Sequence, residues 1–374
     1  MSTTDERLHF IDNLRSAVIF LVIAVHTTIT YSHIGSWYYE EKNTLDPITS
    51  LLFLMFEAHC QAYFMGIMFF LAGYFVPSAF DRKGFCQFSK DRFLRLGVPA
   101  LFFMVVIQPL VIHFLLHHGD RPFWTYLHTY FTTDRVLNGS GPMWFALALL
   151  FFCLCYGLTR LLFPGKSLAI AVPNLPKMLG FAVIIGLITF VVRLVQPIGT
   201  NVLNMQLCFF TQYIALFILG IVAYRNHWLA NLPERFGLPF LIKATAIGLI
   251  VLLGAVLLSP SKTGLSSFAG GWKLESLFYA LWEELVCVTF SMGILVVFKK
   301  YFNTDGPFAQ VLRKSSFGIY FLHTPIVIGG CQSMGWLHLA PLAKAIAFTP
   351  MNYFVTLAFV YLVARHIPWF KKML

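Results

Sequence analysis

The chain has 374 residues, of which 58% are hydrophobic and only 11% are charged. Soluble domains carry about a quarter charged residues, so this composition excludes one and points to a polytopic membrane protein. The formal net charge of +11 requires no nucleic-acid partner, because Lys and Arg collect on the cytoplasmic face of membrane proteins and face anionic lipid there.

Predominantly apolar segments of about 18 or more residues cross a hydrocarbon core of roughly 30 Å as helices, which satisfy their own backbone groups. The sequence predicts about ten, at 11–32, 48–76, 96–117, 142–163, 177–196, 204–224, 240–259, 275–298, 314–333 and 344–366, separated by Pro, Gly and charged clusters. The expected fold is all-α, an integral membrane protein with these helices around a polar central cavity. One membrane domain fills 1–374, flanked by short tails at 1–10 and 367–374. Of the 27 Lys and Arg, 19 fall in one alternating set of loops and 7 in the other, with Arg15 inside a helix. Both termini are therefore expected in the cytoplasm. The run 17–25 has the length of a signal-peptide core, but "HTTITYSHIG" follows it without a small-x-small pattern, so it reads as a retained helix.

Ionisable groups inside membrane helices are functional hypotheses by default. The first predicted helix, "DNLRSAVIFLVIAVH", carries three. Asp12 and Arg15 have the spacing of an ion pair near the cytoplasmic end. Arg15 and His26 share a face, separated by about 16 Å of axial rise. Asp12 stands about 21 Å from His26 and so cannot orient its imidazole. His26 is followed by Thr27, Thr28, Thr30 and Tyr31, which suits a cavity opening outward, and imidazole is the commonest general base.

Counting depth from the outer end of each helix nominates Glu57 and either Glu283 or Glu284 as the carboxylate that fixes the His26 tautomer. His323 falls near mid-membrane, as a cavity residue or an interhelical hydrogen bonder. In "KDRFLRLGVP", Arg92 and Arg95 lie on one face at the start of the third helix, where guanidinium forks suit the phosphates of a cytosolic ligand. The seven cysteines show neither metal spacing nor a disulfide framework, and no metal is expected.

Several of these landmarks, in order along almost the whole chain, resemble the membrane-bound acyltransferase family 3. They are Arg15 and His26 with the preceding "FID", "QAYFMGIMFFLAGYFVP" ending in Gly73 and Tyr74, "RFLRLGVP", "GPMWF", "FTQYIALFILGIVAY" and "SSFGIYFLHTP". The resemblance implies transfer of an acyl group, acetyl first and succinyl next, from cytosolic acyl-coenzyme A to a hydroxyl of an extracytoplasmic glycan or glycolipid. His26 and Arg15 would be catalytic, and Arg92, Arg95 and Arg15 would hold acyl-coenzyme A as a co-substrate, with no permanently bound cofactor. The matched stretches add Gln61 and Trp144 to Asp12, Glu57, Glu283 and His323 as supporting cavity residues.

The expected setting is membrane lipid, the bacterial inner membrane. Some relatives append an acceptor-side hydrolase-like domain, so a separate partner protein could complete the transfer here. A transporter or flippase for a small polar or lipid-linked substrate would need a similar polar path. No inverted repeat or pair of broken helices favours it.

Overall fold

The structure is a computed structural model that describes residues 8–116, 122–163, 165, 169–259, 264–367 and 370. Helix α1 runs His9–Ser32 and α2 Pro47–Arg92, continued by α3 (Val98–Phe102) and α4 (Gln108–Leu110). Then come α5 (Phe123–Thr132), α6 (Trp144–Leu162), α7 (Leu175–Val195), α8 (Phe210–Arg225), α9 (Leu238–Leu258), α10 (Leu274–Tyr301), α11 (Pro307–Ser333) and α12 (Pro341–Leu362). No sheet occurs among the described residues.

Eight helical runs among the described residues are long and apolar enough to cross a membrane. One of them, Pro47–Leu116, is 70 residues long and holds two expected spans, 48–76 and most of 96–117. The expected span 314–333 lies within α11, which is not one of the eight. The tail before Leu8 and most of the tail after Ile367 lie outside the described residues.

The loop expected between the second and third spans is not a loop. Helix continues on both sides of a single break at Gly84, with φ 68° and ψ 173°, a conformation essentially reserved for glycine. Phe80 and Phe88 pack edge to face across the break, which gives these charged turns an apolar side to bury. Beyond it the helix widens into π-helical turns at Phe93–Gly97 and Phe103–Ile107, which precede Pro99 and Pro109. Proline lacks an N–H, so the ladder must shift where it enters.

Burial sorts the helices. The apolar windows of α1 and α10 are 72% and 61% buried, whereas that of α9 is only 11% buried. Ile247, Ile250, Leu257 and Leu258 of α9 point outward, as they would toward lipid. Helix α1 packs on α2, α11 and α12, so its polar residues sit at the centre. At the crossing of α2 and α8, Gly73 meets the Phe217 carbonyl and Gly220 meets the Phe70 carbonyl, each too closely for any Cβ. Such small-residue contacts let helix backbones touch where hydrophobic driving force is absent.

The turn into α2 is capped by Asp46, whose carboxylate accepts from the Ile48 and Thr49 amides, both at 3.0 Å, ahead of Pro47. Hydrogen bonds from Thr49 hold this carboxyl below the ordinary range.

Candidate active site

Two adjoining cavities share Asp12 and Arg15. The larger, of about 580 Å³, is lined by Arg15, Arg82, Lys83, Arg92 and Arg95 against Asp12 and Asp91, with Tyr74, Phe75, Phe88 and Tyr224 among its apolar surfaces. Both arginines of the RxxR stretch therefore face one chamber, as their spacing predicted. Two of its walls are the two limbs of α2 that meet at Gly84, braced by an ion pair from Lys83 to Asp91, and Asp12 and Arg15 of α1 and Tyr224 of α8 add to the lining. Arg15 lies 3.6 Å from Asp12, reaches the Leu71 carbonyl at 3.5 Å and stands over the Phe75 ring.

The second cavity, of about 330 Å³, is a largely apolar shaft between α1, α2, α6 and α11. Ile19, Val22, Met65, Met68 and Leu149 line it, Arg313 and Ser316 stand with Asp12 and Arg15 as its polar lining, and Tyr320 is its last residue along α11. The expected polar central cavity is thus two chambers, one charged and one apolar. The reason is local: below His26, α1 turns Ile19 and Val22 rather than polar residues toward α2 and α6.

Val22 and Tyr320 are four and three residues short of His26 and His323, so the shaft ends about one helical turn from both histidines. His26 Nδ1 stands 3.1 Å from His323 Nε2. The ring planes are parallel within 3° and the centroids are 5.2 Å apart, a separation that, with the nitrogens at 3.1 Å, fits rings side by side in a hydrogen bond better than rings stacked face to face. His323 Nδ1 is 2.7 Å from the Tyr320 carbonyl oxygen, and His323 is fully buried whereas His26 is partly exposed.

Above His26 lies the loop between α1 and α2. Trp37 stacks on the His26 ring with centroids 3.8 Å apart and planes 13° apart. The loop is tied at several points: Lys344 Nζ to Glu41 Oε1 at 2.6 Å, Asn43 Nδ2 to the Tyr31 carbonyl at 3.1 Å, and Tyr38 Oη to Gln108 Oε1 at 2.6 Å. Burial pushes the Tyr38 phenol up, so it stays a neutral donor.

The expected carboxylate beside His26 is not there. Glu57 instead accepts a 2.6 Å bond from Ser32, six residues or about 9 Å farther along α1. The depth count assumed that helices start level, whereas Glu57, ten residues into α2, sits beside the last residue of α1. Glu283 pairs with the fully buried Arg193, and Glu284 accepts from Thr189 at 3.1 Å and Gln212 at 3.2 Å. Both glutamates thus belong to the packing of α10 against α7 and α8, and neither lines the two cavities. Trp144 stacks on Tyr213, within whose hydroxyl's reach Gln61 lies. That cluster adjoins the shaft through Phe145.

Sequence reasoning missed Arg82, Lys83 and Arg313 because they were absorbed into the topological charge bias, and Arg193 for the same reason. Trp37 stood in an aromatic loop, with no pattern to single it out.

The model of an acyltransferase domain family matches residues 8–365. No curated protein and no solved structure matches the chain significantly. With nearly the whole length of the membrane domain matched, the chain belongs to acyltransferase family 3 and is an integral membrane acyltransferase.

Proposed function

We propose that the protein is an O-acyltransferase that carries an acyl group from acyl-coenzyme A on the Lys- and Arg-rich side of the membrane to a hydroxyl on the other side. The observation that carries this reading is the sequence of chambers: a basic one, an apolar shaft that adjoins it at Asp12 and Arg15, and an imidazole one turn beyond the shaft. Adenosine phosphates suit Arg82, Lys83, Arg92, Arg95 and Arg15, since guanidinium forks bind phosphate in a bidentate manner. The thin pantetheine arm suits the shaft, and the rise of about 16 Å from Arg15 to His26 is comparable with its length.

In this mechanism His26 takes the proton of the acceptor hydroxyl as its oxygen bonds to the thioester carbonyl carbon. The C–S bond then breaks, and the proton on His26 passes to the departing thiolate. The acceptor is a glycan or glycolipid, and Trp37 is placed to lie against a sugar at the outer end. The membrane is the bacterial inner membrane, with the basic side cytoplasmic by the charge bias. A separate acceptor-side protein would present the glycan where the acceptor is large.

The test uses purified protein in vesicles with labelled acetyl-coenzyme A. Label should pass to a hydroxylated acceptor, and His26→Ala should lower the rate by about 10²- to 10⁴-fold, the usual share of general base catalysis. In Arg92→Gln/Arg95→Gln, coenzyme A should bind about tenfold or more weakly, as loss of charge-assisted bonds implies. Normal turnover in the His26 variant would sink the assigned base, and unchanged coenzyme A binding would remove the donor from the basic chamber.

A further inference from the structure

We infer that His323 is the positioning residue for His26: it fixes the tautomer that leaves Nε2 of His26 as the basic nitrogen. This rests on the transfer reaction proposed above, but its geometry stands apart from the substrate.

The assignment begins at the far end of the chain of bonds. The Tyr320 carbonyl oxygen can only accept, so the 2.7 Å contact to it makes His323 Nδ1 the donor. A neutral imidazole has one N–H, which leaves Nε2 of His323 with a lone pair. The 3.1 Å contact between that nitrogen and His26 Nδ1 then requires the proton to sit on His26 Nδ1. By the same rule His26 Nε2 is unprotonated, and no hydrogen bond among the described residues engages it. The parallel ring planes, the 5.2 Å centroid separation and the 3.1 Å N···N distance together suit a donor N–H aimed along the acceptor lone pair.

His323 is fully buried, and the shaft stops at Tyr320, so His323 acts through His26 rather than on substrate. Trp37, stacked on the His26 ring, restrains its tilt from the outer side, while His323 restrains its rotation.

A neutral orienting group also has a physical reason in this place. A carboxylate at this depth would bring a charge whose desolvation is expensive inside a membrane. A backbone carbonyl dipole relayed through a second imidazole sets the same tautomer without any net charge. During transfer, His26 gains the acceptor's proton at Nε2 while its Nδ1–H stays bonded to His323. The proton later leaves from Nε2 to the thiolate, so His323 ends the cycle unchanged.

The experiment is ¹⁵N nuclear magnetic resonance of the full-length protein, labelled at histidine and held in lipid nanodiscs, with the His26 signals assigned by their loss in His26→Asn. Wild type should show His26 protonated at Nδ1. In His323→Leu the signal should move to the Nε2–H tautomer or a mixture, and kcat should fall about 100-fold or more, with the KM for acetyl-coenzyme A little changed. His323→Gln, whose Oε1 can accept the Nδ1–H, should restore the Nδ1–H signal and most of kcat. An Nε2–H His26 in wild type, an unmoved signal in His323→Leu, or a Gln variant no better than the Leu variant would each overturn the assignment. Wild type with the Nδ1–H signal but no acyl transfer would instead refute the proposed function and leave the tautomer standing.

Discussion

Arg193 has no exposed surface and pairs with Glu283, which is equally enclosed. Its Nε and Nη1 find no partner among the described residues, while the Phe209 and Tyr279 rings lie 5.3 and 5.5 Å from the guanidinium carbon. A fully buried pair of this kind is weak evidence of net stabilisation, yet breaking it leaves an uncompensated charge. Arg193→Leu should therefore destabilise the protein by about 3–5 kcal/mol, read as a lower unfolding midpoint in detergent. Arg193→Leu/Glu283→Leu should recover most of that loss, which a simple sum of two independent defects would not. At this scale the sequence revealed types and spacings well. Arg92 and Arg95 line one chamber, as a three-residue spacing on a helix implies, whereas the catalytic weight on Arg15 and His26 came from the family resemblance. Partners were found poorly, because the neighbour of His26 is 297 residues away and no helical period connects the two.

Among the helices, the α2–α8 crossing brings two backbones together near the basic chamber. Gly73 and Gly220 each lie against a carbonyl of the other helix, and Tyr74, next to one of them, lines the basic chamber. Gly220→Val should force these helices apart. The expected result is a lower unfolding midpoint by several degrees, as about 1–3 kcal/mol of overpacking implies, together with weaker coenzyme A binding measured by titration. The glycine-aromatic pair at Gly73 and Tyr74 was visible in the sequence, but its counterpart on α8 was not, since a glycine inside an apolar run has no signature of what it touches. The same blindness explains Glu57. Sequence gives the length of each helix and not its offset along the membrane normal, so α2 reaching past the end of α1 could only be seen in three dimensions.

For the molecule as a whole, central helices carry the polar residues while α9 and much of α7 turn Ile, Leu and Val outward. Composition made the membrane class legible, because covering so much apolar surface without lipid is not possible for a soluble chain. The bend at Gly84 was hidden, since a charged stretch with one glycine reads equally as a loop or as two helices meeting. That bend organises the basic chamber: Ser78, Ala79, Arg82 and Lys83 stand on one limb, and Phe88, Asp91, Arg92 and Arg95 on and beyond the other. A Cβ at Gly84 would meet nothing within 4 Å, so any penalty for substitution comes from backbone strain alone. Gly84→Ala should lower stability by about 1–3 kcal/mol, and it should weaken coenzyme A binding without altering any side chain that lines the chamber. An unchanged dissociation constant would show that the limbs hold their angle without glycine. Since a single pivot sets the angle between two of the walls, the aperture is not encoded solely in the residues that surround it. Two homologues with identical linings could then accept donors of different bulk, and a comparison of their contact residues would find no reason for the difference.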